Sequence, residues 1–260
     1  MATFQLLSVF GPALAGIFAV WMGATQIFFI NGATLFVAIL IILTIPKGTL
    51  QKGVNNENTA SKNTWNEVLK GIRLLFGNKI VRFALSIEFI SAIAGAIILV
   101  NTIGLVKNSL KLDDQHYGWI MSIFGVCAAI TANILRSLDK SKSRSVSLIS
   151  GAMLLGIAIS FANFLPYNGV MFLWVLAGIG QTLADMPSET LIGENIEAKD
   201  HGKVYGAHFA FSHLWWAIAY PIAGFLGTQF PGREFLYGGI ATIILAIAAI
   251  LLIRKPQVKQ

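Results

Sequence analysis

Charge is missing from the first 46 residues, where no Lys, Arg, Asp or Glu occurs before Lys47. Over the whole chain 12% of residues are charged and 55% are hydrophobic. That is about half the charged fraction of a soluble domain, which excludes an ordinary water-facing fold. Cysteine is nearly absent too. The single one, Cys127, lies between Val126 and Ala128, so neither a disulfide framework nor a thiolate metal cluster can be built, and its expected role is packing. There is no His-Glu-x-x-His, no Gly-x-Ser-x-Gly and no glycine-rich phosphate loop. A membrane-embedded protease or acyltransferase therefore lacks its nucleophile, base or metal, and direct ATP coupling lacks its cradle. No cofactor is expected.

What the chain does have is apolar length. Eight stretches, near 3–22, 27–45, 82–106, 117–138, 146–164, 170–192, 204–228 and 235–253, are each long enough to cross a bilayer. A hydrocarbon core of ~30 Å takes roughly 20 apolar residues as a helix, which satisfies its own backbone where water is absent. The expected fold is an all-α, polytopic bundle of eight transmembrane helices. Met1 runs into the first stretch without a basic start, so that stretch is expected to act as its own insertion signal.

The net charge of +7 is distributed by connection and not by face. Alternate connections carry sixteen Lys and Arg on one side against three on the other. Positive-inside bias then places both termini in the cytoplasm of a multi-pass protein of the inner (plasma) membrane, and a nucleic-acid partner is not expected. Lipid is the partner the composition demands.

The spans divide two and six. Residues 1–46 hold the first pair, 47–81 form a cytoplasmic linker, and 82–260 hold six spans. Lys47 to Lys62 reads as flexible linker. Thr64 with Glu67 three residues on forms a capping pattern, and Val68, Ile72, Leu75 and Phe76 fall at helical spacing away from Lys70 and Arg73, predicting an amphipathic helix at the cytoplasmic interface. Trp21-Met22-Gly23 and Pro166-Tyr167-Asn168-Gly169 read as short outer turns. Gly11 with Gly16, Ser91 with Gly95, and Gly178 with Gly180 allow close helix approach.

Ionisable residues at bilayer depth cost about 2.5–3.5 kcal/mol on insertion scales and so face a cavity or a partner. Glu88 is the clearest case, expected either as a proton or cation carboxylate or as partner to a basic residue. Gln181, Asp185 and Glu189 recur at i, i+4 and i+8 and share one helical face, with Pro187 among them removing a backbone hydrogen bond. His208 and His213 point ~140° apart on one helix, so they cannot clamp a metal together. Each remains a candidate ligand or proton site. Asn31, Asn101 and Asn133 are expected mainly to join helices, and Trp215 and Trp216 to pack or to sit at the interface.

Specific residues then carry a resemblance. Gly11-Pro12-Ala13-Leu14-Ala15-Gly16, followed by Trp21 and Phe28-Phe29-Ile30-Asn31, resembles the fifth and sixth helices of major facilitator superfamily transporters, the glycine-proline run being similar to their antiporter motif, with Ala15 at one glycine position. Leu138-Asp139-Lys140 through Arg144 resembles the cytoplasmic loop between family helices eight and nine, with Ser and Lys replacing Gly and Arg. Asp200-His201-Gly202-Lys203-Val204-Tyr205-Gly206 resembles the loop before helix eleven in siderophore and macrolide exporters. The stretch from Gly206 to Trp216 is similar to exporters linked to nickel and cobalt resistance.

The resemblance implies a chain matching family helices five to twelve, with the first four helices of a parent transporter missing. It implies proton-coupled export of a small molecule, either a drug-like compound or a divalent metal ion. Glu88, Asp185, Gln181 and Glu189 would carry proton coupling, and His208 and His213 substrate or metal. Gly11, Pro12, Gly16, Asp139, Lys140, Arg144, Gly202 and Lys203 would form the conformational motifs. The alternative expectation is a transport-inactive remnant or an assembly subunit.

Overall fold

A computed structural model of the chain describes residues 24–44, 64–138 and 144–253. The first expected span, the linker to Lys62, and Gly11, Pro12, Gly16, Asp139 and Lys140 lie outside the described residues. Within them the chain is helical: α1 (Ala24–Thr44), α2 (Thr64–Gly77), α3 (Lys79–Gly104), α4 (Asp114–Leu138), α5 (Arg144–Ser160), α6 (Tyr167–Asn195), α7 (His201–Gln229) and α8 (Glu234–Ile253). The six helices from α3 to α8 are long and apolar enough to cross a membrane. The fold is an all-α membrane bundle. α1 occupies the second expected span, with 21 residues, and its described side chains are exposed.

Local chemistry sets the ends. Asn78 separates α2 from α3, and its side-chain oxygen accepts from the backbone N–H of Ile80 at 2.8 Å and Val81 at 3.4 Å, capping the first turn. α3 runs on into a single π-helical turn, Leu105–Ser109, and Lys111 takes a positive φ of 58° before α4 begins. Beside that turn, hydrogen bonds with the His116 side chain and backbone hold the Asp113 carboxyl below its ordinary range. Asn163 caps α8 from a neighbouring turn: its Oδ1 accepts from the N–H of Phe235 at 3.1 Å and Leu236 at 3.3 Å, and its Nδ2 donates to Glu234 at 3.1 Å.

α3 is the most enclosed span, packed by α5, α6, α7 and α8. Its Phe83, Ile87, Ile97 and Ile98 are fully buried, and Trp174 of α6 stacks edge-on with Phe235 of α8 at 5.4 Å. α5 and α6 cross where both are glycine. A Cβ on Gly180 would lie 2.8 Å from the backbone nitrogen of Leu155 and 2.9 Å from the Gly151 carbonyl oxygen. Only glycine fits that approach. α6 also touches α4 closely at Gly178, next to the Phe124 carbonyl, and Thr182 donates to the Ala128 carbonyl at 3.1 Å.

Pro187 is accommodated in the same crossing. With no N–H, proline leaves the carbonyl four residues earlier without its helical donor. That carbonyl is Leu183, and the Ser147 hydroxyl of α5 donates to it at 3.2 Å. A neighbouring helix thus satisfies the group that proline frees, as an apolar surround requires. Ser147→Ala is expected to destabilise the bundle by about 1–3 kcal/mol, and the loss should vanish in a Pro187→Ala background, where the helix regains its own bond. Thermal unfolding of the four proteins in detergent checks this.

α2 does not lie free on the membrane surface. Ile72, Leu74, Leu75 and Phe76 pack against Val81 and Leu85 of α3 and Val204, Ala207 and Phe211 of α7, with Leu75 fully buried. Gly71 meets the Lys203 backbone. Four charges lock the contact: Lys70 pairs with Asp200 at 2.9 Å, and Lys203 pairs with Glu67 and, at 3.6 Å, with Asp200. The apolar stripe expected to face lipid is largely spent on the bundle, while Val68 stays outside it.

Candidate functional site

Three helices bring their polar residues together near one end of the bundle. Glu88 and Ser91, three apart on α3, occupy one face. Gln181, Asp185 and Glu189 line α6 at four-residue intervals, and His208 comes from α7. The chain folds this way because the membrane-spanning part of each helix is largely apolar elsewhere: burying its polar residues against other polar residues is the arrangement with the least desolvation.

Glu88 and His208 are partners. The His208 Nε2 lies 2.8 Å from Glu88 Oε2, with their side chains only 11% and 13% exposed. With His208 protonated the contact is an ion pair; with it neutral, the imidazole N–H donates a hydrogen bond to the carboxylate. One proton more or less therefore changes the strength with which α7 is held to α3.

The second half of the site is a chain of hydrogen bonds. Gln181 Nε2 donates to Ser91 Oγ at 2.7 Å and to Asp185 Oδ2 at 2.6 Å, linking α6 to α3. Asp185 Oδ1 and Gln181 Oε1 are buried and have no hydrogen-bond partner among the described residues. Glu88 and Glu189 both stand within electrostatic reach of Asp185. Two carboxylates, Glu88 and Asp185, and one imidazole thus share a small, largely enclosed region, with Glu189 exposed at its edge. A proton on Asp185 Oδ1 would remove one of its negative charges.

Aromatic residues close the α7 side. Trp215 stacks on Phe89 at 4.9 Å and on Phe211 at 5.6 Å, and its indole N–H is buried without an acceptor among the described residues. Trp216 and Gln181 Oε1 both meet the space over Gly95, where a Cβ would lie 2.9 Å from each. The Ser91 and Gly95 pair, read from sequence as a packing device, also supplies a hydroxyl to the polar chain. Its place three residues from Glu88, on the same helical face, is the signal that could have found it.

Other sequence-derived candidates fall elsewhere. His213 is exposed and its Nδ1 bonds the Phe209 carbonyl of its own helix at 2.8 Å, so the two histidines do not meet. Glu189 is exposed, and Tyr205 donates to its backbone carbonyl at 3.3 Å. Arg144 pairs with Glu194 across the α5–α6 ends. Lys203 is held by Glu67 and Asp200, and Gly202 stands in open space in the first turn of α7. Of the asparagines expected to join helices, Asn101 does so, donating to the Ala223 carbonyl of α7 at 3.0 Å. Asn133 instead donates to Ala129 on its own helix at 2.9 Å, because at its exposed position the local carbonyl is the acceptor in reach. Among the described residues no group of three or more His, Cys, Asp or Glu side chains is arranged to hold a metal ion.

Comparison with known proteins adds a family. The model of the Major Facilitator Superfamily matches residues 84–260, which take in nearly all of α3 and the whole of α4 to α8. An uncharacterised MFS-type transporter, YfiS of Bacillus subtilis (strain 168), is 25% identical over 214 residues, covering 76% of this chain and 49% of that protein. A multi-drug resistance efflux pump PmrA homolog of Lactococcus lactis subsp. lactis (strain IL1403) is 28% identical over 160 residues, covering 61% of this chain and 37% of that protein. The chain spans half or less of the length of these relatives. No solved structure matches significantly.

Proposed function

Since this chain belongs to the Major Facilitator Superfamily, we propose that it is the larger part of a secondary transporter, not an enzyme, and that it exports a small organic molecule in exchange for protons. Residues 82–260 form its second bundle, 1–46 the end of its first, and 47–81 the cytoplasmic connection carrying α2. Four further helices would complete the first bundle. The protein lies in the plasma membrane with both ends cytoplasmic.

The observation that carries this reading is the membrane-buried pair of Glu88 and His208 beside Asp185, whose Oδ1 is unpartnered. Asp185 is the proton-carrying group. Charged, it repels Glu88; neutral, it leaves Glu88 free to hold His208, so proton binding on α6 is felt as tighter contact between α3 and α7. Secondary transporters use such changes to bias the rocking of one bundle against the other around a midplane site. The efflux-pump relative favours an organic substrate. A divalent metal is the weaker choice, because His208 has one carboxylate partner and His213 faces away.

The test uses the complete transporter in membrane vesicles. Glu88→Gln and His208→Gln are each expected to lower gradient-driven export by roughly tenfold, the equivalent of about 1.4 kcal/mol. The double variant should lose no more than either alone, since both remove one interaction. Multiplying losses would mean that the two residues act separately. The competing reading, an inactive remnant or assembly subunit, predicts that no variant changes transport by the complete protein.

A further inference from the structure

The docking of α2 onto α3 and α7 leaves a second apolar stripe uncovered. Trp65, Val68 and Leu69 fall at i, i+3 and i+4, on one side of the helix, and are 75%, 45% and 55% exposed. They lie beside the buried face formed by Gly71 and Leu75 and away from the ion pairs of Glu67 and Lys70. Three cations nearby in the chain are exposed: Arg73, one turn beyond Leu69 on α2, and Lys79 with Arg82, which share a face in the first turn of α3 directly after α2 ends. None of the three has an acidic partner among the described residues, whereas Lys70, Arg144, Lys199 and Lys203 at the same end each have one.

We propose that this surface binds anionic phospholipid of the adjoining leaflet, with Trp65, Val68 and Leu69 among the upper acyl chains and Arg73, Lys79 and Arg82 on the phosphates. Tryptophan at the boundary and basic residues that extend toward the headgroups are the side chains that this depth favours. Each cation near an anionic surface adds attraction that zwitterionic lipid does not supply. Cover by protein fits less well: it would strip water from three cations for which the described chain offers no counter-charge. The lipid would brace α2, and through α2 the end of α7 that carries His208. This inference rests on the membrane-spanning fold and not on the transport reading, so it can fail or hold independently of proton coupling.

The experiment uses the full chain with Cys127→Ser and Leu69→Cys, the latter labelled with an environment-sensitive fluorophore, in nanodiscs of mixed phosphatidylglycerol and phosphatidylcholine. Bromine is placed on the chains of one lipid or of the other at equal total content. Brominated phosphatidylglycerol is expected to quench the label about twofold or more better than brominated phosphatidylcholine. Adding Arg73→Gln, Lys79→Gln and Arg82→Gln should bring the two to equality while quenching persists. Equal quenching in the protein with its cations intact would overturn headgroup selection. Quenching by neither lipid would overturn the proposal altogether and assign the stripe to a protein contact.

Discussion

Gly180→Leu is expected to yield no folded protein. A Cβ at that position already falls 2.8 Å from the Leu155 nitrogen and 2.9 Å from the Gly151 oxygen, and both are backbone atoms that cannot rotate away. Gly180→Ala should therefore separate α5 from α6 at a cost of about 1–3 kcal/mol, and a branched side chain should prevent their crossing. Because α6 carries Gln181 directly after Gly180 and Asp185 in the following turn, the polar site would be lost with it. Gly206→Ala is the control, since a Cβ there meets nothing within 4 Å. Retention of a monodisperse peak on size exclusion in detergent, and protection from trypsin, separate the outcomes: lost for Gly180→Leu, intact for Gly206→Ala.

Asp185→Asn is the second large effect. In the complete transporter it is expected to abolish export driven by a pH gradient while leaving the protein at normal abundance in the membrane. Asparagine keeps the size and can still accept from Gln181 Nε2, so the link from α6 to Ser91 survives. What disappears is the ability to exist with and without charge. Exchange of labelled for unlabelled substrate across the membrane needs no change of protonation and should continue in the variant. Loss of both activities would point to a structural role for Asp185.

The bundle was largely legible as sequence. Spans expected at 170–192, 204–228 and 235–253 appear as Tyr167–Asn195, His201–Gln229 and Glu234–Ile253. The structured ends run further because hydropathy marks where lipid begins, whereas backbone hydrogen bonds and caps such as Asn163 on α8 decide where a helix ends. The three-helix site was legible only in its parts. Periodicity places Gln181 and Asp185 on one face, but the partner of Glu88 is 120 residues away, and no local pattern sets which helix lies next to which. The same holds for Ser147, an unremarked residue until the carbonyl freed by Pro187 is found beneath it, and for α2. Its heptad-like stripe reads equally well against lipid or against α7, and the charge pairs with Asp200 and Lys203 decided between them.

If Asp185 exchanges its proton for substrate, as proposed, proton release on substrate binding measures that exchange directly. The purified complete transporter, in detergent and nearly unbuffered solution with a pH-indicating dye, is mixed with a fluorescent compound that vesicles containing it export. Wild-type protein is expected to release protons in proportion to the compound bound, and Asp185→Asn to bind the compound and release none. Equal release from both proteins, or binding to the wild type without release, would contradict the assignment of Asp185 as the coupling group.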